Sequence, residues 1–370
     1  MHVLVIPYNY PTKYFSHRAV FVADQVKALR YANHKVNVLG CIPKTLKDIL
    51  KSKSIVFGCL SEEKWLLSIP ALRGRYYFNE GLAYKIGKIL FKRYIKVEGK
   101  PDVIHVHNVT AGKLALWVKK VYSIPFVVTE HSSLMWSTNQ LPRKKNEFNS
   151  QVYLESHSNI AVSDTFASHL SSSYQVEFNC IPNVVNTDFF VPMLDRKNKS
   201  DVIIIASVGN LTANKNHILL IRAISAYILS GGKANVIIVG DGPEKTKLEK
   251  EVKLLKLEGV VTLTGCLSRQ GVLGVLQQAN CFILPSLKET FGVVLIEAMS
   301  CGLPVFALKN GGSESIVKGN VGMLALTEDK FMKLFPLFVQ QSYDNVAIRQ
   351  YVVDRFSSKV IALKLLSTYQ

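Results

Sequence analysis

The sequence predicts an α/β protein made of two successive doubly wound units, each with a largely parallel sheet. Three observations predict it. Short β-rich runs alternate with longer helix-like stretches along the chain. The β-rich runs are continuous in Val and Ile, as in parallel strands covered on both faces. The alternation halts at a polar, charged stretch, Val191–Asp201 ("VPMLDRKNKSD"), and then restarts, so two α/β units are the simplest architecture.

In the first half, strands are expected at Val3–Pro7, Lys35–Leu39, Val103–His107, Phe126–Thr129 and Asn159–Val162, with helices such as Val20–Tyr31 and Lys113–Tyr122 between them. In the second half, strands are expected at Val202–Gly209, Asn235–Gly240, Val260–Gly265, Cys281–Pro285 and Pro304–Leu308. Residues 1–192 and 193–352 are therefore read as the two domains. Ligands on such sheets bind beyond the carboxyl ends of strands. With two such domains, the cleft between them is the expected site.

Apolar residues make up 48% of the 370, enough for sizeable cores. Lys and Arg number 45 against 27 Asp and Glu, a formal charge of +18, which favours anionic partners. The six cysteines are scattered without a C-x-x-C pair and read as small core residues in a reducing, cytoplasmic setting. No apolar run reaches the ~18 residues of a membrane-spanning helix. The opening "MHVLVIPYNYP" reads as a first strand, not a signal peptide.

The stretch "KETFGVVLIEAMSCGLPV", Lys288–Val305, carries the sharpest chemistry. As a helix, Gly292–Ser300 is apolar nearly all round and belongs in a core, yet it contains Glu297. Burying an ionised carboxylate without a partner is very unfavourable. A second carboxylate, Glu289, precedes it. Eight residues in a helix amount to ~12 Å of rise. Carboxylates that cleave a glycosidic bond stand about 5–9.5 Å apart. The pair therefore suits gripping two separated, hydroxyl-bearing parts of one elongated ligand. The alternative is a solvent-facing Glu289 and a Glu297 paired with some Lys or Arg. Thr290–Gly292 places amides ahead of the helix, where phosphate is attracted, and Gly292 permits close approach.

"SVGNLTANKNH", Ser207–His217, runs strand, glycine, loop, helix, and ends with Lys215 placed to meet a diphosphate or to sit solvated. "VGDGPEKTKLEKE" (Val239–Glu251) lacks the third glycine of a dinucleotide fingerprint; Gly240 and Gly242 read as turn-formers. In "LKNGGSESIV" (Leu308–Val317), Gly311 and Gly312 make a tight turn and Ser313 reads as an N-cap. Glu130 and His131 follow a strand, where a cleft residue belongs; His131 reads either as a donor beside a reacting sugar or as a structural histidine. His105 and His107 share one strand face and read as structural, since two histidines alone are weak metal ligands. There is no P-loop, H-E-x-x-H, G-x-S-x-G or D-x-D. A nucleotide diphosphate, if bound, would be met by lysines and backbone amides, with no metal and no other cofactor. Tyr84–Lys100 carries six basic residues interleaved with Ile86, Ile89, Leu90 and Ile95. It reads either as a helix lying on an anionic membrane surface or as one packing its apolar side on its own domain.

"PSLKETFGVVLIEAMSCGLPVFALKNGGSESIV" resembles the signature block of retaining GT-B glycosyltransferases of family 4, in which a Glu, seven residues and a Glu recur. "IPNVVNTDFF", "VGDGPE" and "ANCFILPS" are similar to further blocks of that family, and "RFSSKVIALKLLSTY" to its final helix. The resemblance implies two Rossmann-like domains facing an interdomain cleft, residues 353–370 packing back on the first domain, and sugar transfer from a nucleotide-activated donor with retained configuration. By position it implies that Glu297 binds the donor ribose, Glu289 the sugar hydroxyls, and Lys215 the diphosphate. Gly209, Asn210 and the amides around Phe291, Gly292, Val293 and Val294 join the donor site, and His131 stands near the reacting sugar. Asn210 occupies a position where the family often has arginine, and Ala19 one where glycine is common. Lys13 or Arg18 would then supply the second diphosphate cation or touch the acceptor.

The expected activity is thus a hexosyl- or related glycosyltransferase taking a nucleotide sugar, such as a UDP-sugar, to a glycan or lipid-linked acceptor of polysaccharide or cell-envelope synthesis. The expected location is cytoplasmic, at the inner face of the plasma membrane. The rivals are a nucleotide-sugar epimerase, a catalytically degenerate homologue, and a protein that binds an anionic partner. No nucleic acid is expected, because no aromatic-basic recognition motif is present.

Overall fold

The computed structural model describes residues 1–11, 19–44, 65–70, 76–193 and 201–370. The chain divides into two compact units, Met1–Pro182 with Ile361–Gln370, and Asn183–Val360. The sequence reading placed these limits at 192/193 and 352/353. The earlier first limit has a physical cause. Arg349 donates to the carbonyls of Thr187 and Phe190 at 2.9 Å, and the Val185 amide donates to the Phe356 carbonyl at 2.9 Å. These bonds hold the segment after Pro182 to helices of the second unit.

The first unit contains a seven-stranded, all-parallel sheet in the order β3-β2-β1-β4-β5-β6-β7. The strands are β1 (His2–Pro7), β2 (Lys35–Lys44), β3 (Trp65–Pro70), β4 (Val103–His107), β5 (Phe126–Glu130), β6 (Ser158–Ala161) and β7 (Asn179–Cys180). The helices are α1 (Val20–Tyr31), α2 (Tyr76–Glu98), α3 (Gly112–Tyr122), α4 (Arg143–Glu155) and α5 (Asp164–Tyr174). β4 and β5 are buried along their whole length, as the unbroken apolar runs required. Ser163 caps α5 by accepting from the Phe166 amide. β3 and β7 had no counterpart in the sequence reading; β7 is two residues long, too short to carry a pattern.

The second unit repeats the topology with six parallel strands in the order β10-β9-β8-β11-β12-β13. They are β8 (Ile203–Val208), β9 (Ala234–Val239), β10 (Val261–Gly265), β11 (Cys281–Leu284), β12 (Val305–Leu308) and β13 (Gly322–Ala325). The helices are α6 (His217–Leu229), α7 (Lys245–Leu254), α8 (Arg269–Gln278), α9 (Val293–Ser300), α10 (Glu328–Gln340) and α11 (Asn345–Phe356). Its core joins Ile205, Ile238, Ile283 and Phe306 of the strands to Ile221, Ile224, Phe331 and Phe335 of the helices. The last helix, α12 (Ser358–Ser367), carries the chain from the second unit to the first, where Ile361, Ala362, Leu365 and Tyr369 are buried.

In each sheet the order reverses beside the first strand, between β1 and β4 and between β8 and β11. Such switch points, beyond the carboxyl ends of the strands, are where doubly wound sheets hold ligands.

Candidate active site

At the switch point of the second sheet, the loop after β8 meets the loop after β11. Lys215 lies on the first and Glu289 on the second, and the two side chains form an ion pair, each largely shielded. The pair excludes the solvent-facing alternative for Glu289. One backbone and one side-chain hydrogen bond lock the loops together: the Leu287 amide donates to the Asn214 carbonyl at 2.8 Å, and Asn214 Nδ2 to the Lys288 carbonyl at 2.9 Å. The lysine stem passes over Gly209, where an added Cβ would stand 3.4 Å from Lys215 Cδ. Asn210 is exposed beside it.

A third loop, after β12, closes the arrangement. The Glu289 amide donates to the Asn310 carbonyl at 3.0 Å, and Asn310 Nδ2 to the Ser286 carbonyl at 3.1 Å. Asn310 Oδ1 accepts from the Gly312 and Ser313 amides, and Glu314 accepts from those of Asn310 and Gly311. Ser313 is therefore not the N-cap that the sequence suggested. Its hydroxyl is buried without a hydrogen-bond partner among the described residues, and the Ser315 and Ile316 amides that it would have capped donate to the carbonyls of Gly312 and Ser313 instead. Gly312 presses on the backbone of Phe291, and a Cβ there would stand 2.5 Å from the Phe291 nitrogen.

Helix α9 begins at Val293, so Glu289 lies ahead of it and the eight-residue helical offset does not apply. Gly292 adopts φ +99°, a left-handed turn that glycine takes without strain, and aims the first turn of α9. The opening N–H groups of a helix have no acceptors within it and carry its positive dipole end. The expectation that α9 is buried all round is corrected. Leu295, Ile296, Ala298, Met299 and Ser300 are buried, but Val293, Val294 and Glu297 are half-exposed. Positions three and four apart lie on one face of a helix, so Glu297 shares an open side with Val294 and Val293. Glu297 thus sits on the open side of the helix, not in a core.

His131 belongs to the first unit, just past β5. Its Nε2 is 3.0 Å from Nδ1 of His107, and Phe21 packs against its ring at 4.5 Å between centroids. His107 lies over His105, which contacts Thr129 Oγ1 at 2.7 Å through Nε2 and the Tyr369 hydroxyl at 2.7 Å through Nδ1. Burial lowers the pKa of His105 to about 3 and that of His107 well below the usual imidazole range, with His105 and His131 adding to the latter shift. Both are neutral at pH 7. His107 is the site residue that sequence reasoning left aside; its alternation with His105 on β4 was the available signal, but the pairing with His131 depends on β4 and β5 being neighbours.

Glu130, the other residue at this strand end, is structural. Its carboxylate accepts from the amides of Val109, His131 and Ser132 and from the Tyr153 hydroxyl, at 2.8–3.1 Å. Burial raises its pKa despite those four bonds. Ala19 caps α1 in a left-handed conformation, φ +48°, which explains why glycine suits that position. Lys13 and Arg18 lie outside the described residues. Among the described residues, no group of three or more His, Cys, Asp or Glu side chains could hold a metal ion.

Two family models match the chain in succession: Glycosyltransferase Family 4 over residues 19–189 and Glycosyl transferases group 1 over residues 194–333. A gpi3 subunit of phosphatidylinositol N-acetylglucosaminyltransferase from Schizosaccharomyces pombe is 32% identical over 149 residues, 40% of this chain and 32% of that protein. The chain thus spans about a third of the length of the first curated relatives it matches. Among solved structures, a sucrose-phosphate synthase from Thermosynechococcus elongatus aligns with a TM-score of 0.77 at 18% identity, over 100% of this chain and 98% of that one. Anabaena HepE in complex with UDP and glucose aligns with a TM-score of 0.74 at 15% identity, over 100% and 99%. With both halves matched in order, and the fold shared along the whole chain, the protein belongs to the family 4-like, group 1 glycosyltransferases of GT-B architecture.

Proposed function

We propose that the chain transfers a hexosyl or related unit from a nucleotide sugar, a UDP-sugar in the first instance, to a glycan or lipid-linked acceptor, with retained configuration and without a metal. The observation that carries this reading is the Lys215–Glu289 ion pair at the second switch point, beside the first turn of α9. A diphosphate would meet the Lys215 ammonium and the amides of Phe291, Gly292, Val293 and Val294. These are fixed donors aimed where negative charge grows as the leaving group departs. Glu289, held by Lys215, is assigned to the donor sugar's hydroxyls, and Glu297, on the open side of α9, to the ribose. His131 is assigned as a hydrogen-bond donor to the reacting sugar.

In the reaction, the bond from the anomeric carbon to the diphosphate oxygen breaks. The acceptor oxygen bonds to that carbon on the same face, and its proton passes to the departing phosphate oxygen. Positioning of two reactants supplies much of the rate. The UDP-bound neighbour and the phosphatidylinositol-modifying relative support the donor and the lipid-linked acceptor.

No helix among the described residues is long and apolar enough to cross a membrane. The outer face of α2 exposes Lys85, Lys92, Arg93 and Lys96 beside Ile89 and Val97, while Phe91 and Tyr94 pack inward. The inward packing of Phe91 and Tyr94 fits the reading of Tyr84–Lys100 as a helix packed on its own domain, and the exposed basic side is what the membrane-surface reading requires. Its basic face would seat a peripheral enzyme on the anionic inner leaflet of the plasma membrane.

The test is UDP-sugar turnover and UDP binding in two variants. Lys215→Ala should lower turnover by about 10²–10³-fold, as loss of one transition-state donor does. Glu297→Gln should weaken UDP-sugar binding about tenfold or more, the worth of a charge-assisted bond. Wild-type kinetics in both folded variants would overturn the assignment.

A further inference from the structure

Where β4 ends, the backbone takes a conformation that a residue with a Cβ avoids. Asn108 has φ +69° and ψ +130°. Ala19, Ser123, Gln175 and Asn216 also take positive φ, but with ψ of 35–39°, in the left-handed well that non-glycine residues enter at modest cost. Asn108 lies outside that well, where glycine moves freely and any other residue is strained. Such strain persists only where the surroundings impose it, and it gathers at functional sites.

The surroundings of Asn108 are a clasp between the turns that follow β4 and β5. The Asn108 amide donates to the Thr129 carbonyl at 2.9 Å, and its carbonyl accepts from the Ala111 amide at 3.0 Å. Its side-chain Oδ1 accepts from the His131 amide at 3.1 Å, while Glu130 accepts from the Val109 amide at 3.1 Å. Each turn thus holds a backbone amide of the other. Glycine at 108 would form the same backbone bonds without strain, so the side chain is what the strain retains. That side chain is not needed to satisfy the His131 amide, because Glu130 Oε1 accepts from the same N–H at 2.9 Å. What a second acceptor adds is direction: the peptide between Glu130 and His131 is fixed from two sides. With His107 on the ring Nε2, His131 is held by both its main chain and its side chain.

We propose that Asn108 is a positioning residue, whose strained turn is kept because its Oδ1 fixes His131 at the end of β5 for the transfer step. The role of His131 rests on the transferase reading; the strain and the clasp can be measured without turnover. Asn108, Glu130 and His131 all belong to the first unit. The nucleotide is assigned to residues of the second, so loss of Asn108 acts on turnover and not on UDP affinity.

The experiment compares Asn108→Gly and Asn108→Ala with the unsubstituted full chain. It reads thermal melting, UDP titration, and turnover of UDP-glucose or UDP-N-acetylglucosamine, whichever the unsubstituted chain uses. Both variants lose Oδ1, but only glycine is free of the strain. Glycine ordinarily makes a loop less stable than alanine does. Here Asn108→Gly should melt above Asn108→Ala, by about 2 °C or more. Both should bind UDP as the unsubstituted chain does. Both should turn over roughly fivefold more slowly with KM little changed, the loss expected of one hydrogen bond. In protein labelled with 15N-histidine, the His131 amide proton should move upfield in both variants, having lost one acceptor, while those of His169 and His217 stay in place. Alanine melting at or above glycine would overturn the strain, and an unmoved His131 amide would overturn the clasp. Asn108→Gly turning over at the unsubstituted rate would make Asn108 structural and overturn the positioning role. If the unsubstituted chain neither binds UDP nor turns over a UDP-sugar, the transferase reading falls and takes the positioning role with it, while the melting order and the His131 signal still decide the strained clasp.

Discussion

Three imidazoles stand in line behind the end of β5, all buried, with the last, His131, the least so at 9% exposure. His107 is neutral because burial and its two histidine neighbours disfavour a charge. Its single partner is His131, since its Nε2 has none among the described residues. His107 therefore acts through His131, fixing the orientation and the protonated nitrogen of that ring. Replacing His107 with Phe keeps the packing but removes the bond. Turnover should fall by roughly fivefold, the worth of one hydrogen bond of about 1 kcal/mol. A folded His107→Phe variant that turns over at the unsubstituted rate would make His107 packing alone.

At the scale of elements, the proposed donor site is three loops wedged together, and Gly312 is the wedge. Its neighbours at 2.5–2.6 Å from a would-be Cβ are backbone atoms of Phe291, which cannot rotate away. Gly312→Ala must therefore push the loop before α9 outward. The expected cost is about 1–3 kcal/mol of stability, with weakened UDP binding. Gly274, within α8, offers the control, since a Cβ there meets nothing within 4 Å. Gly274→Ala should stabilise by up to about 1 kcal/mol through helix propensity, with UDP binding intact. Paired melting curves and UDP titrations check both; similar behaviour of the two variants would refute the wedge. The signature of this region was readable from spacing, because glycines, a carboxylate and a short helix must follow one another closely in the chain. The Lys215–Glu289 pair was not, because it joins residues 74 positions apart.

For the whole molecule, buried histidines set a pH response. His217 is buried at the start of α6 with both ring nitrogens unpartnered among the described residues, and burial, aided by Lys215, lowers its pKa to about 4. His105 and His107 are lowered too. Above pH ~6.5 all three are neutral whether folded or not. As pH falls below that, the unfolded chain takes up protons that the folded chain refuses. Stability should then decline by about 1.4 kcal/mol per pH unit for each histidine, down to its folded pKa. Glu130, with a raised pKa, opposes this near its own titration, one group against three. Melting temperatures from pH 7.5 to 4.5 should fall, and His217→Phe should flatten the slope without loss at neutral pH. A melting temperature that holds level on acidification would contradict the buried, neutral histidines.

The sequence alone determined the alternation of strands and helices, the repetition of one topology, and the loops where ligand chemistry gathers. Each of these is written in local pattern: apolar period, glycine placement, short spacing. The tertiary structure decided which face of α9 is open, so that Glu297 lies on it. It decided that Lys215 and Glu289 pair and that His107 supports His131. Those depend on which strands become neighbours, and that is settled by packing between segments far apart in the chain, which no local pattern encodes.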